Sequence, residues 1–135
     1  MATFNKFNSF VEAVCEKKHN LESDQLKVAL TNTLPVAGNS VLADITEIAY
    51  TNLSARNITT SSSSQTSGTY KLILNDLILS ASGAVSTFRY VVIYNDTATN
   101  KELIGWADYG SGITMANLDN FIIDFDASLG ILQLV

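Results

Sequence analysis

The chain has 135 residues, a formal net charge of −5, 47% hydrophobic residues and only 16% charged residues. That length predicts one domain, residues 1–135, large enough to bury a core without a disulfide or a metal. Scattered Lys and Arg exclude the basic patch of a nucleic-acid binder. No apolar run reaches the roughly 18 residues of a membrane-spanning helix, and a single cysteine, Cys15, excludes an internal disulfide.

The first 20 residues read as an N-terminal helical unit. Phe7, Phe10, Val11 and Val14 recur at the i, i+3, i+4, i+7 spacing of one helix face, which predicts an amphipathic helix over 4–18. Lys17, Lys18 and His19 lie where cations suit the C-terminal dipole, and Asn20 suits a left-handed stop. Cys15 in this setting is expected to be a small buried apolar group. The N-terminus lacks the basic start and apolar stretch of a signal peptide, so synthesis and folding in a cytoplasm are expected.

Residues 26–135 read as β structure. Leu26, Val28 and Leu30 alternate with Lys27, Ala29 and Thr31 as a strand. Residues 32–39, with the only proline, form a loop. Residues 41–48 fit one helical turn or an irregular crossing segment, 52–54 a turn, and 55–60 a strand. The run TTSSSSQTSG over 59–68 has nothing to bury and predicts a mobile loop. Strands follow at 70–74 and 77–81, broken at Asn75-Asp76, with a turn at Ser82-Gly83.

The stretch Phe88 to Gly112 is the predicted centre of the core. FRYVVIY is almost wholly β-branched or aromatic, which suits a packed pleated surface. Strict alternation puts Phe88, Tyr90, Val92 and Tyr94 on one face and Arg89, Val91 and Ile93 on the other. Both faces are apolar, so the strand is expected to be covered on both sides. Asn95 to Asn100 supplies turn residues, and Glu102 to Ala107 resumes the apolar run, completing a hairpin with Trp106 opposite. Phe121 to Asp126 alternates again, and Ile131 to Val135 forms a last strand. Short strands, one leading helix and no βαβ alternation predict a mainly β chain: an antiparallel β-sandwich or open barrel with one N-terminal amphipathic helix.

No set of residues argues for catalysis. Cys15 and His19 are four apart, but two ligands make no metal site, and His19 at a helix end is expected to be solvated. Asp124 and Asp126, with Asp119 nearby, provide oxygen ligands of the kind calcium takes; a solvent-facing strand side explains them as well. Asp96, Glu102 and Asp108 read as turn and surface residues. The serines at 61–64 lie in no nucleophile elbow, and no glycine loop cradles phosphate. The glycosylation patterns at Asn52, Asn57 and Asn95 carry little weight without a signal peptide. The expectation is a non-enzymatic chain with no metal and no cofactor.

The segments KHNL (18–21), LKVALTNTLPVA (26–37), VLADITEI (41–48), RYVVIYNDTA (89–98) and LIGWADYGS (103–111) together resemble small virion structural proteins of tailed bacteriophages, most of all capsid decoration (cement) proteins. The resemblance spans nearly the whole chain but contains no chemical motif. It implies a β-rich subunit, a homotrimer, that binds the major capsid protein on the capsid surface and stabilises the shell, with no nucleic-acid or membrane partner. The alternative is a tail- or fibre-associated module that binds host-surface glycan. Two segments are the candidate subunit and capsid contacts. Phe4, Phe7 and Phe10 offer more aromatic surface than a small sheet edge covers. Ile131, Leu132, Leu134 and Val135 form a strand able to pair with a neighbouring sheet edge.

Overall fold

The computed structural model describes residues 3–135. The long hairpin β7 (Val85–Asn95) and β8 (Leu103–Met115) is the spine of the molecule. It lies inside an antiparallel five-stranded sheet of order β1-β8-β7-β2-β3, with β1 at Phe4–Lys6, β2 at Leu26–Thr31 and β3 at Asn57–Ile58. A three-stranded sheet, β10-β5-β4, combines Leu132–Leu134, Thr69–Leu74 and Thr60–Thr66. A two-stranded ribbon pairs β6 (Leu77–Ser80) with β9 (Asn120–Ile123). The only other regular elements among the described residues are the helix α1 (Asn8–Cys15) and a 3-10 turn at Leu42–Asp44. The chain is therefore mainly β, with antiparallel sheets and one N-terminal helix, as its sequence predicts.

Both faces of the central strands are buried. One carries Val28, Leu30, Val91 and Ile93 and packs on Leu72, Leu74, Leu79 and Ile123 from the smaller sheets. The other carries Ala29, Val92, Tyr94 and Leu103 and is closed by Phe7 and Ile45. Strict alternation fails at one place. Phe88 joins Val91 and Ile93 in the first cluster, not Val92 and Tyr94. The pairing of β7 with β8 shifts register between Phe88 and Tyr90, and a bulge of this kind changes which face a side chain takes.

The N-terminal expectation needs correction. Residues 4–6 are strand, not helix: Phe4 pairs with Ala107 and Lys6 with Gly105, covering the edge of β8. A Cβ at Gly105 would lie 2.9 Å from the Asn5 carbonyl oxygen, so this close approach needs glycine. The helix begins only at Asn8 and ends at Cys15, and Lys17, not Asn20, takes the left-handed conformation (φ 64°). Cys15 is exposed at the helix end rather than buried.

The serine-rich run is also corrected. Residues 60–66 are not a loop but strand β4, paired along β5 from Thr60↔Leu74 to Thr66↔Thr69. Ser67 (φ 51°) and Gly68 (φ 83°) form the two-residue turn, and two consecutive positive φ angles match the twist of a tight hairpin. The strand gains its order from its partner: Ser63 shares a 2.7 Å hydrogen bond with the Tyr70 hydroxyl. Side-chain periodicity carries no trace of this, because β4 buries little on either face.

Candidate functional site

A groove of about 780 Å³ opens at the loop end of the central hairpin. Its walls come from the segment after α1, the 97–100 loop, Glu102 at the start of β8, and Ser63 and Tyr70 of the β4–β5 hairpin. The size lies within the range of small-molecule sites, about 300–1,000 Å³.

Asn95, the last residue of β7, organises this region. Its Oδ1 accepts hydrogen bonds from the backbone N–H groups of Thr97 (3.0 Å) and Ala98 (3.1 Å), which shapes the loop. That fixes the orientation of the amide, so Nδ2 is the atom that faces Asp24 and His19. It donates to Asp24 Oδ2 at 2.6 Å and to His19 Nδ1 at 2.9 Å. Since Nδ1 of His19 accepts, the ring is neutral and carries its proton on Nε2. Burial lowers the His19 pKa, against the opposing pull of the Glu102 and Asp24 carboxylates.

The expected solvated histidine is thus corrected: His19 is only 9% exposed, with its ring 5.3 Å from that of Phe10. Glu102, read from sequence as a surface residue, is also 9% exposed. Two buried polar atoms here, His19 Nε2 and Glu102 Oε2, have no hydrogen-bond partner among the described residues. The Cys15–His19 pair is not assembled. The helix ends between them, and the left-handed turn at Lys17 leaves Cys15 exposed while His19 turns inward.

The aromatic half of the candidate contact surface is corrected as well. Phe7 and Phe10 are buried in the chain's own core, and Phe4 is half-buried with its ring 5.5 Å from Phe125. Phe7 and Phe10 are therefore closed to a neighbouring chain, while Phe4 keeps part of its surface exposed. At the other terminus, Ile131 and Leu132 are half-buried against the first core cluster, while Leu134 and Val135 are exposed. β10 already pairs with β5, through Leu132↔Leu72 and Leu134↔Tyr70, so one of its edges is used within the chain.

The acidic residues have local work. Asp126 accepts from the N–H groups of Ser128 and Leu129, both at 2.8 Å, and those bonds lower its pKa. Asp119 accepts from Ala116 N–H at 2.8 Å. Asp108 holds Arg89 through two contacts of 2.8 and 3.0 Å, and Asp96 holds Lys101 at 2.8 Å. Among the described residues, no group of three His, Cys, Asp or Glu side chains is placed to bind a metal ion. No described helix is long and apolar enough to cross a membrane.

A second surface stands out on the β6–β9 ribbon. Ile78 and Ile122 face each other across the pair, and they are 55% and 56% exposed. Leu118, in the turn that leads into β9, is 83% exposed. Alternation along Phe121–Asp126 already turns Ile122 outward with Asp124 and Asp126; what sequence reasoning missed is that the exposed Ile78 lies directly opposite it, because strand pairing is not read from periodicity.

No known protein family, curated protein or solved structure matches this chain.

Proposed function

We propose that the chain is a non-enzymatic structural subunit of a bacteriophage virion, a decoration protein that binds the major capsid protein and stabilises the shell as a homotrimer. The observation that supports this most is the Ile78–Ile122 pair with Leu118. A directly opposed, half-exposed isoleucine pair on a two-stranded ribbon is apolar surface that gains by being covered. The low charge of the chain and the resemblance of its segments to virion proteins point the same way. The exposed end of β10, Leu134 and Val135, extends the contact candidates to the three-stranded sheet. In this reading Phe7 and Phe10 hold the subunit together and make no contact outside it.

The test mixes purified protein with undecorated shells and measures retention and shell heat stability. Wild type should be retained and should raise the temperature at which shells rupture. The double variant Ile78→Lys/Ile122→Lys should lose retention while melting close to wild type. Failure of wild type to bind shells, combined with binding to host cells, would replace decoration with a tail-module role.

A further inference from the structure

We propose that the groove beside His19 and Glu102 is a binding site for a neutral, hydroxyl-rich ligand, namely one sugar unit of a saccharide. This site is distinct from the β6–β9 patch and does not depend on the chain's place in a virion.

The chemistry follows from what the groove offers. The hydrogen bond from Asn95 commits His19 to the tautomer with its proton on Nε2, so this residue of the groove wall has a buried donor without a partner among the described residues. Glu102, in the same wall, has a buried acceptor, Oε2, without a partner among the described residues. Leaving such groups unpaired is costly, so a ligand that pairs both recovers that cost. An anion would satisfy His19 but meet the carboxylates of Glu102 and Asp24. A cation would satisfy Glu102 but meet the Nε2–H donor. A hydroxyl both accepts and donates, so a hydroxyl, or two on adjacent carbons, serves His19 and Glu102 together. The rim continues the pattern with the polar side chains of Asn20, Thr97, Thr99 and Asn100, and Tyr70 adds an aromatic side chain. The charged residues of the lining nearly balance, Lys17 and Lys18 against Glu22, Asp24 and Glu102, and the neutral polar groups with one aromatic side chain suit a ring whose edges bear hydroxyls and whose faces are C–H.

The experiment uses the full chain, ¹⁵N-labelled, at neutral pH. Glucose, galactose, mannose and N-acetylglucosamine are each titrated to millimolar excess. The side-chain amide of Asn95 and the ring nitrogens of His19 are the readouts. At least one sugar should shift both signals saturably. Glu102→Gln should weaken that sugar about tenfold, equivalent to about 1.4 kcal/mol. Asn100→Ala, at the exposed rim and away from the core, should weaken it without changing the melting temperature. The proposal is overturned if none of the four sugars moves the Asn95 and His19 signals in a folded sample. It is equally overturned if the shifts persist unchanged in both variants, or if a crystal soaked in the sugar shows only a water between His19 and Glu102. Shell retention is measured separately, so failure here leaves the decoration reading standing, and the reverse holds.

Discussion

The guanidinium of Arg56 lies 3.6 Å over the ring of Tyr50, and together these two side chains act as a substitute strand beside β2. The partner β3 pairs only with Leu26 and Lys27. Beyond it, Arg56 donates from its side chain to the Val28 carbonyl at 2.6 Å, and the Tyr50 hydroxyl accepts from Leu30 N–H at 3.1 Å. The same hydroxyl donates to Glu47 at 2.5 Å, and Ile48 N–H reaches the Leu30 carbonyl at 3.0 Å. The exposed edge of a core strand is thereby closed without a further strand. Tyr50→Phe should keep the ring contact and strand Leu30 N–H, destabilising the protein by about 1–3 kcal/mol. Chemical denaturation measures this; a midpoint equal to wild type would show that water replaces the hydroxyl freely.

Gly130 sets the path into β10. Its φ is 76°, and a Cβ there would collide with the backbone carbonyl of Leu72. The adjacent Ile131 N–H bonds that same carbonyl at 2.9 Å. Gly130→Ala should therefore detach β10 from β5, with faster amide exchange at Leu132 and Leu134 and a loss of more than about 1 kcal/mol. Unchanged exchange at those two amides would mean that the turn relaxes around the methyl group.

Phe7 and Trp106 divide one aromatic contact unequally. Their rings are 4.6 Å apart, but Phe7 is fully buried while Trp106 is partly exposed. Phe7→Ala should cost about 3–5 kcal/mol, and Trp106→Ala clearly less, since part of the indole already meets water. Thermal melts of the two variants give the order, and a larger loss for Trp106→Ala would contradict it.

His19 gives stability a pH dependence near neutrality. Its pKa is lowered in the folded chain from 6.5, so below that value the unfolded chain binds a proton that the folded chain resists. Stability is full above pH 6.5 and falls as pH drops from there toward the lower folded value. Protonation also turns Nδ1 into a donor and opposes the bond from Asn95. The carboxylates Asp96, Asp108 and Asp126 have lowered pKa values, so their stabilisation is present above the ordinary 3.8 and disappears only in more acid solution. Melting temperature should fall between pH 7.5 and pH 5.5 in wild type and stay nearly flat in His19→Gln. Equal slopes in the two proteins would assign the effect to other groups.

The strands with an apolar face were legible because burial and alternation coincide in them: Leu26–Thr31, Tyr70–Leu74, Leu77–Ser80 and the middle of the central hairpin lie where their pattern predicts, but β7 starts earlier, at Val85, and β8 runs on to Met115 through Gly110–Gly112, which reads from sequence as a turn. The N-terminal segment was not. Phe7, Phe10, Val11 and Val14 do show helical spacing, yet residues 4–6 are drawn into strand by the open edge of β8, a partner about a hundred residues away. The serine run failed for the same reason, since β4 is ordered by hydrogen bonds to β5 rather than by buried side chains. The groove was invisible because its buried histidine and glutamate look like any surface pair until the chain turn at Lys17 and the Asn95 amide bring them inward.

The pairing of Phe4 with Ala107 also dictates an order of events during synthesis. Strand β1 leaves the ribosome before β8, and its docking site is made about a hundred residues later. At about 5–20 residues per second that interval is on the order of ten seconds. Throughout it Phe4 and Phe7 have no β8 to pack against, so the nascent chain displays its aromatic N-terminus until the hairpin appears. The edge of β8 is thus closed by a strand made about a hundred residues before it.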